Sequence, residues 1–284
     1  MDWSKAKNIL IIAFVITNLL LFYVLWQNQT YNGSYVNLEK GFVEDVKALL
    51  LDKDIKIDSP IPKEVPSMTL LDIEYETYDT KHKREELVNK FFDDYQYIQE
   101  DGKDFFIKDN ESIHINNNKE IVYENKNDEE RFSDIDLDTS KSIAMEFLEN
   151  NSIYDEDLVL SEVKELKQGY MLEYTKVFQN ILVEKSYMKF TIDNRGVREF
   201  RRIWMYIVDY NDKEIMVRSA PDALLRLVSN ERVYGKTISD ISICYYFNPK
   251  EHEMVDIKDT KRANAVPAWR VEFSDGTKVF LEEY

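Results

Sequence analysis

The rhythm of apolar and polar positions along this chain changes once, near residue 27. From Ile9 to Trp26 eighteen residues pass without a charge. As a helix rising about 1.5 Å per residue they reach roughly 27 Å, close to the hydrocarbon thickness of a bilayer. Phe22, Tyr23 and Trp26 gather at the far end, where an aromatic belt sits. Lys5 and Lys7 precede the run and no Lys or Arg follows before Lys40, so the positive-inside rule puts the N-terminus in the cytoplasm and the later residues outside. The stretch "FYVLWQNQTY" is bulky throughout and lacks the small-residue pattern of a cleavable signal. The expectation is a retained anchor in the cell membrane over residues 9–26, a cytoplasmic tail over 1–8 and a polar tether over 27–36.

Within the span, Ile11, Phe14, Asn18, Leu21, Phe22 and Leu25 fall on one helical stripe. An asparagine amide in hydrocarbon seeks a neighbouring helix, which makes the stripe a candidate for binding a partner's membrane helices. The alternative stays open: Asn18 bonds its own backbone or a water, and the stripe faces lipid.

Past the tether the periods are those of a water-facing body. Phe42, Val46, Leu49 and Leu50 keep helical spacing within residues 38–51. "SPIPKEVPS" cannot be helical and reads as an extended connection. "SMTLLDIEYETY" reads as a strand. Leu87, Val88, Phe91 and Phe92 make a helical face behind a possible cap at Thr80. Two hairpins follow, turning at Asp101-Gly102 and over Asn116 to Lys119. After the charged run "NDEERFSDIDLDTS" the same grammar recurs. It comprises a helix over residues 141–150, long strands over 159–207 turning at Gln168-Gly169 and Asn194-Arg195-Gly196, and a short helix in "SAPDALLRLVSN". Two closing strands are joined by Ser274-Asp275-Gly276. Ser219 and Asp222 have capping-box spacing, with Pro221 in the first turn. The fold class is α+β with antiparallel sheets and packed helices, divided into a first domain over 37–130 and a second over 131–284.

Charge narrows the partners. The formal net charge is -17, so the chain is repelled by phosphate backbones, and nucleic acid is excluded as a partner. Cys244 is the only cysteine and sits in the strand-like "ISICYYF", so stability comes from packing rather than an intrachain disulfide. His82, His114 and His252 show no metal-ligand spacing. Asp134, Asp136 and Asp138 have calcium-loop spacing. Thr139 stands where such a loop needs glycine and Met145 where it needs glutamate, so the acids are read as favouring the positive end of the following helix. There is no nucleophile elbow or phosphate-cradling glycine loop, and no cofactor, metal or catalytic residue is expected. One basic cluster stands out in "RGVREFRR". On a strand Arg198, Phe200, Arg202 and Trp204 share a face, and Arg198, Arg202 and Trp204 are an extracytoplasmic docking candidate. Pairing of these arginines with the chain's own surplus carboxylates is the alternative.

The start "MDWSKAKNILII", the lone N-terminal span, the "SAPDALLRLV" helix and the closing "AWRVEFSDGTKVFLEEY" together resemble the YycH/YycI family. These are membrane-anchored accessory proteins of the WalK (YycG) sensor histidine kinase in Gram-positive bacteria. The likeness covers the whole architecture and carries no catalytic signature. It implies an extracytoplasmic α+β body, a YycH-like partner and a non-catalytic role in modulating a kinase that controls cell-wall metabolism. Two other readings share the same features: an extracytoplasmic ligand- or peptide-sensing or peptidase-inhibiting module, and an anchored cell-wall hydrolase.

Overall fold

The computed structural model describes residues 40–65, 67–100, 103–210, 214–247 and 260–282, together with residues 7, 14, 15, 17, 18 and 21. The expected membrane span therefore lies largely outside the described residues, as do the Asp101-Gly102 turn and His252. Among the described residues no helix is long and apolar enough to cross a membrane. The contacts divide the chain into two units interleaved in sequence. One comprises Met1–Met68, Met216–Ile241 and Val271–Lys278, the other Thr69–Ile215, Ser242–Arg270 and Val279–Tyr284. The position after residue 130, expected as a domain boundary, falls inside the second unit.

In the first unit helix α1, Lys40–Leu51, buries Val46 and Leu50 completely. Leu49, expected on the same face, is 46% exposed, because the apolar stripe runs through Phe42, Val46 and Leu50 and leaves Leu49 on its flank. Strand β1, Lys56–Ile57, pairs in parallel with Thr237 and Ile238. The short helix Ala220–Leu224 begins as its sequence requires. Ser219 Oγ accepts from the Asp222 N–H at 3.4 Å, Pro221 fills the first turn, and a 3-10 turn over Leu225–Ser229 continues it.

The second unit is built on an α+β plan with a mostly antiparallel sheet. Its strands are β2 (Leu71–Tyr75), β3 (Gln96–Glu100), β4 (Lys103–Lys108), β5 (Glu111–Asn116), β6 (Glu120–Asn125), β7 (Leu158–Glu165), β8 (Tyr170–Phe178), β9 (Ile181–Asp193), β10 (Gly196–Ile203) and β11 (Met205–Tyr210). Strands β12 (Thr237–Tyr246), β13 (Arg262–Phe273) and β14 (Lys278–Glu282) contain residues of both units. The order is β11-β2-β13-β12-β9-β10-β6-β5-β4-β3, and β7 joins through β8 to β9. Turns sit where left-handed backbone is tolerated. Asn117 and Asn118 close β5–β6, and Gly169 and Gly196, at φ +96° and +99°, stand at the β7–β8 and β9–β10 turns.

Two helices cover one face of this sheet. Helix α2, Lys81–Val88, starts at Thr80, whose Oγ1 accepts from the Lys83 N–H at 3.3 Å. Helix α3, Leu137–Asn150, starts four residues earlier than expected because Asp136 caps it, accepting from the Thr139 N–H at 2.7 Å. Leu87, Val88, Ile143, Ala144 and Leu148 pack with Ile113, Tyr123, Phe190 and Phe200. Phe147 joins them, with ring centroids 5.1 Å from Tyr123 and 5.2 Å from Phe200. Strand alternation thus directs every second residue of β5, β6, β9 and β10 into a single core.

Strand β9 changes neighbours midway. Leu182 and Val183 pair with Cys244 and Tyr245 of β12, whereas Tyr187 onward pairs with β10. On the β8 side the partner of Thr175 is Tyr187 and that of Lys176 is Val183, so Glu184, Lys185 and Ser186 bulge out together. Lys185 takes φ +69° there, and Ser186 Oγ accepts from the Met205 N–H at 3.0 Å. Trp204 sits opposite this bulge, between the end of β10 and the start of β11.

Candidate functional site

The basic stretch on β10 is absorbed by the protein itself. Arg195 pairs with Asp193 and Asp128, and Arg198 donates to the Asn127 carbonyl with its Nε 3.8 Å from Asp193. Arg201 pairs with Glu199 and with Glu120 at 3.5 Å, and Arg202 pairs with Glu76. Phe200, Arg202 and Trp204 do share a face, but it is the face turned into the core. Arg202 is 3% exposed and Trp204 fully buried, so together with the half-buried Arg198 they form no exposed docking surface. The physical reason is that alternation fixes which residues share a face, while the docking of α2 and α3 decides which face is covered.

Around Trp204 the chain builds a closed cation–aromatic box. The indole Nε1 donates to Asp155 Oδ2 at 2.8 Å. Lys176 Nζ lies 4.9 Å and the Arg202 guanidinium carbon 5.3 Å from the ring. Lys176 is held by Asp155 at 3.5 Å and Asp157 at 3.6 Å. Glu76, partner of Arg202, also accepts from the Tyr206 hydroxyl at 3.1 Å. Burial lowers the Arg202 pKa to about 10, which leaves the guanidinium charged at neutral pH. The box holds two buried cations in place and presents no reacting group.

The other chemistry-bearing side chains are placed structurally. Cys244 is fully buried, donates to the Ala268 carbonyl at 3.4 Å, and has its thiol pKa pushed well above the usual value by burial. His82 is exposed, and half-buried His114 lies 5.2 Å from the Phe105 ring, its pKa lowered by desolvation. Asp136 is the α3 cap and Asp138 pairs with Lys141 at 3.0 Å. Among the described residues no group of His, Cys, Asp and Glu could hold a metal ion.

Of the N-terminal stripe, Ile11, Phe22 and Leu25 lie outside the described residues. Phe14, Asn18 and Leu21 are helical and exposed, and the Asn18 amide donates to the Phe14 carbonyl at 2.8 Å. That is the local backbone bond left open as the alternative.

The feature that sequence reading missed is a cleft of about 460 Å³ between α2 and the β3–β4 hairpin. Tyr95, Tyr97 and Phe106 line it with aromatic surface, the Phe106 ring lying 5.4 Å from Tyr95 and 5.5 Å from Tyr97. Asp104 lies among the lining residues. It pairs with Arg84 and accepts from the Tyr97 hydroxyl at 2.7 Å and the Gln99 amide at 3.2 Å. Arg84 is further fixed by the Tyr78 carbonyl at 2.8 Å and Asn118 Oδ1 at 2.9 Å. Lys81 and Glu85 of α2 stand at the opening, paired at 3.5 Å. The closely spaced rings of "DDYQYIQ" and "KDFFIK" were the available signal, and their strand alternation made them look like ordinary core.

The sequence pattern of the YycI protein family matches residues 28–283. The chain belongs to the YycI family. That family is a regulatory, non-catalytic one associated with the membrane-anchored WalK complex. No curated protein matches the chain. Among solved structures, this YycI-family chain is similar to an uncharacterized protein from Eubacterium rectale ATCC 33656. The identity is 11%, with 85% of this chain and 94% of that one covered and a TM-score of 0.52, a likeness of fold alone. It is also similar to the Bacillus megaterium YpeB C-terminal domain, at 10% identity over 73% of this chain and 94% of that one, with a TM-score of 0.38.

Proposed function

We propose that this chain is a non-catalytic accessory protein that modulates a WalK/YycG-like sensor histidine kinase controlling cell-wall metabolism, in company with a YycH-like partner. The observation that carries the reading is the family match over residues 28–283, which spans the whole body rather than one motif. In this reading residues 9–26 anchor the chain once in the cell membrane, with the N-terminus cytoplasmic and the body outside. In this reading the signal passes through the membrane helix and the outer units. Ile11, Phe14, Asn18, Leu21, Phe22 and Leu25 form the membrane contact. The Asn18 amide donates to the Phe14 carbonyl, and its second N–H and its oxygen are the groups able to bond a neighbouring helix. Such a protein needs no catalytic constellation. It shifts the kinase equilibrium by binding its two states with different affinity.

The test is crosslinking of the full chain in native membranes, followed by identification of the attached proteins. Recovery of the sensor kinase and a YycH-like protein supports the reading. Recovery of neither contradicts it.

A further inference from the structure

Four strands wholly or mostly of the second unit have a single neighbour on one side and an open edge on the other among the described residues: β3, β7, β11 and β14, the last partly buried along its length. Open edges invite pairing with another chain, and proteins blunt them with bulges, prolines and charges. The register of β7 breaks after Leu160 and that of β11 after Ile207. Strand β3 has neither a bulge nor a proline. It keeps an unbroken register with β4 from Gln96↔Ile107 to Glu100↔Lys103, and all five of its side chains are exposed. Tyr97 is 54% and Ile98 37% exposed, one on each face of the strand.

Beside this edge lies the aromatic cleft between α2 and the β3–β4 hairpin, at a volume in the range of built binding sites. The local charge is acidic in excess: Lys81 and Arg84 in the cleft are offset by Glu85 and Asp104, and one exposed lysine, Lys103, stands opposite Glu100. Exposed Asp93 and Asp94 precede β3 and exposed Glu100 ends it, on a chain whose net charge is -17. The edge therefore repels a second copy and attracts a basic segment. A lysine or arginine stem suits the Tyr95, Tyr97 and Phe106 rings, and Glu85 is within the same cleft, committed only to a solvent-exposed pair with Lys81.

We propose that β3 receives an extended, lysine- or arginine-bearing segment of a partner polypeptide, which adds to the sheet as its next strand and seats one basic side chain in the cleft. Main-chain hydrogen bonds to the open edge supply affinity, and the cleft supplies specificity. The inference does not depend on which protein supplies the strand, so it stands or falls apart from the kinase reading.

The test uses the full chain in detergent micelles and three fluorescein-labelled peptides. These are alternating Lys-Val, the same peptide N-methylated at three consecutive central residues to block both strand edges, and alternating Glu-Val. The Lys-Val peptide should give a saturable anisotropy change. N-methylation should weaken binding about tenfold, the loss of one or two main-chain hydrogen bonds to the edge, and Glu-Val should not bind. The surface variant Asp93→Asn/Asp94→Asn/Glu100→Gln should weaken Lys-Val binding several-fold at low salt and less at high salt. Equal affinity for the methylated and unmethylated peptides, binding of Glu-Val as tight as Lys-Val, or no binding of Lys-Val overturns the proposal. So does self-association of the chain that competes with the peptide, which would assign the edge to a second copy.

Discussion

Trp204→Phe separates what the indole does by hydrogen bonding from what it does by filling space. Trp204 is fully buried, donates to Asp155 at 2.8 Å and carries Lys176 and Arg202 on its ring at 4.9 and 5.3 Å. Phenylalanine keeps an aromatic face for both cations but loses the N–H and part of the ring. A hydrogen bond to a charged acceptor contributes about 1.5–3 kcal/mol, and Asp155, whose side chain is 20% exposed, recovers part of that from water. The expected loss is about 2 kcal/mol. Alanine removes the ring altogether. A core Trp→Ala change costs about 3–5 kcal/mol, and two buried cations then lose their ring face at about 1 kcal/mol each. That approaches the whole stability of a small domain, so Trp204→Ala should fail to accumulate folded chain. The assay is urea unfolding of the full chain in detergent, followed by far-ultraviolet circular dichroism, which needs no tryptophan probe. Trp204→Phe unfolding at the wild-type midpoint would refute the hydrogen-bond role. Wild-type stability of Trp204→Ala would refute the box as a structural centre.

Gly169→Ala should destabilise by several kcal/mol, because an added Cβ would lie 1.9 Å from the Ile192 carbonyl oxygen at φ +96°. Gly276→Ala, with open space around it, should cost about 1 kcal/mol, and thermal melts compare the two. Asp79 is held at a pKa of about 2 by its hydrogen bonds to Lys261 and Lys83. Because the folded value is depressed below the ordinary 3.8, its contribution is present above about pH 4 and lost as the pH falls toward 2. Asp79→Asn should flatten acid unfolding in that window, and an unchanged curve would contradict the assignment. Cys244 should react with a thiol reagent only after denaturation, since it is buried and its thiolate disfavoured; fast labelling of native chain would show otherwise.

Local chemistry in the sequence located most elements. Thr80, Asp136 and Ser219 cap helices through side-chain oxygens that accept from a backbone N–H three residues on, as their residue types allow. Asn-rich and glycine turns appeared at residues 117–118, 169 and 196. The β8–β9 turn did not announce itself, because Gln179 and Asn180 take positive φ without glycine. The three-residue bulge over Glu184, Lys185 and Ser186 was equally silent. It exists because β9 must leave β12 for β10, which is a demand of topology that no run of neighbouring residues encodes. The same limit applied to Arg202 and Trp204. Their shared face was legible from period-two spacing, yet its burial depended on helices far off in sequence. The cleft by β3 escaped for the converse reason: aromatic alternation reads as core until the sheet is seen to end there.

Regulation of the kinase without catalysis is decided by reconstitution. The sensor kinase is placed in liposomes alone, with the full chain, and with the full chain and the YycH-like protein, and phosphoryl transfer to its response regulator is timed. The rate should change when the full chain is added in company with its partner, and the Asn18→Leu variant should shift it back toward the kinase alone. An identical rate in all three preparations, with the proteins shown to be co-inserted, would contradict that regulation.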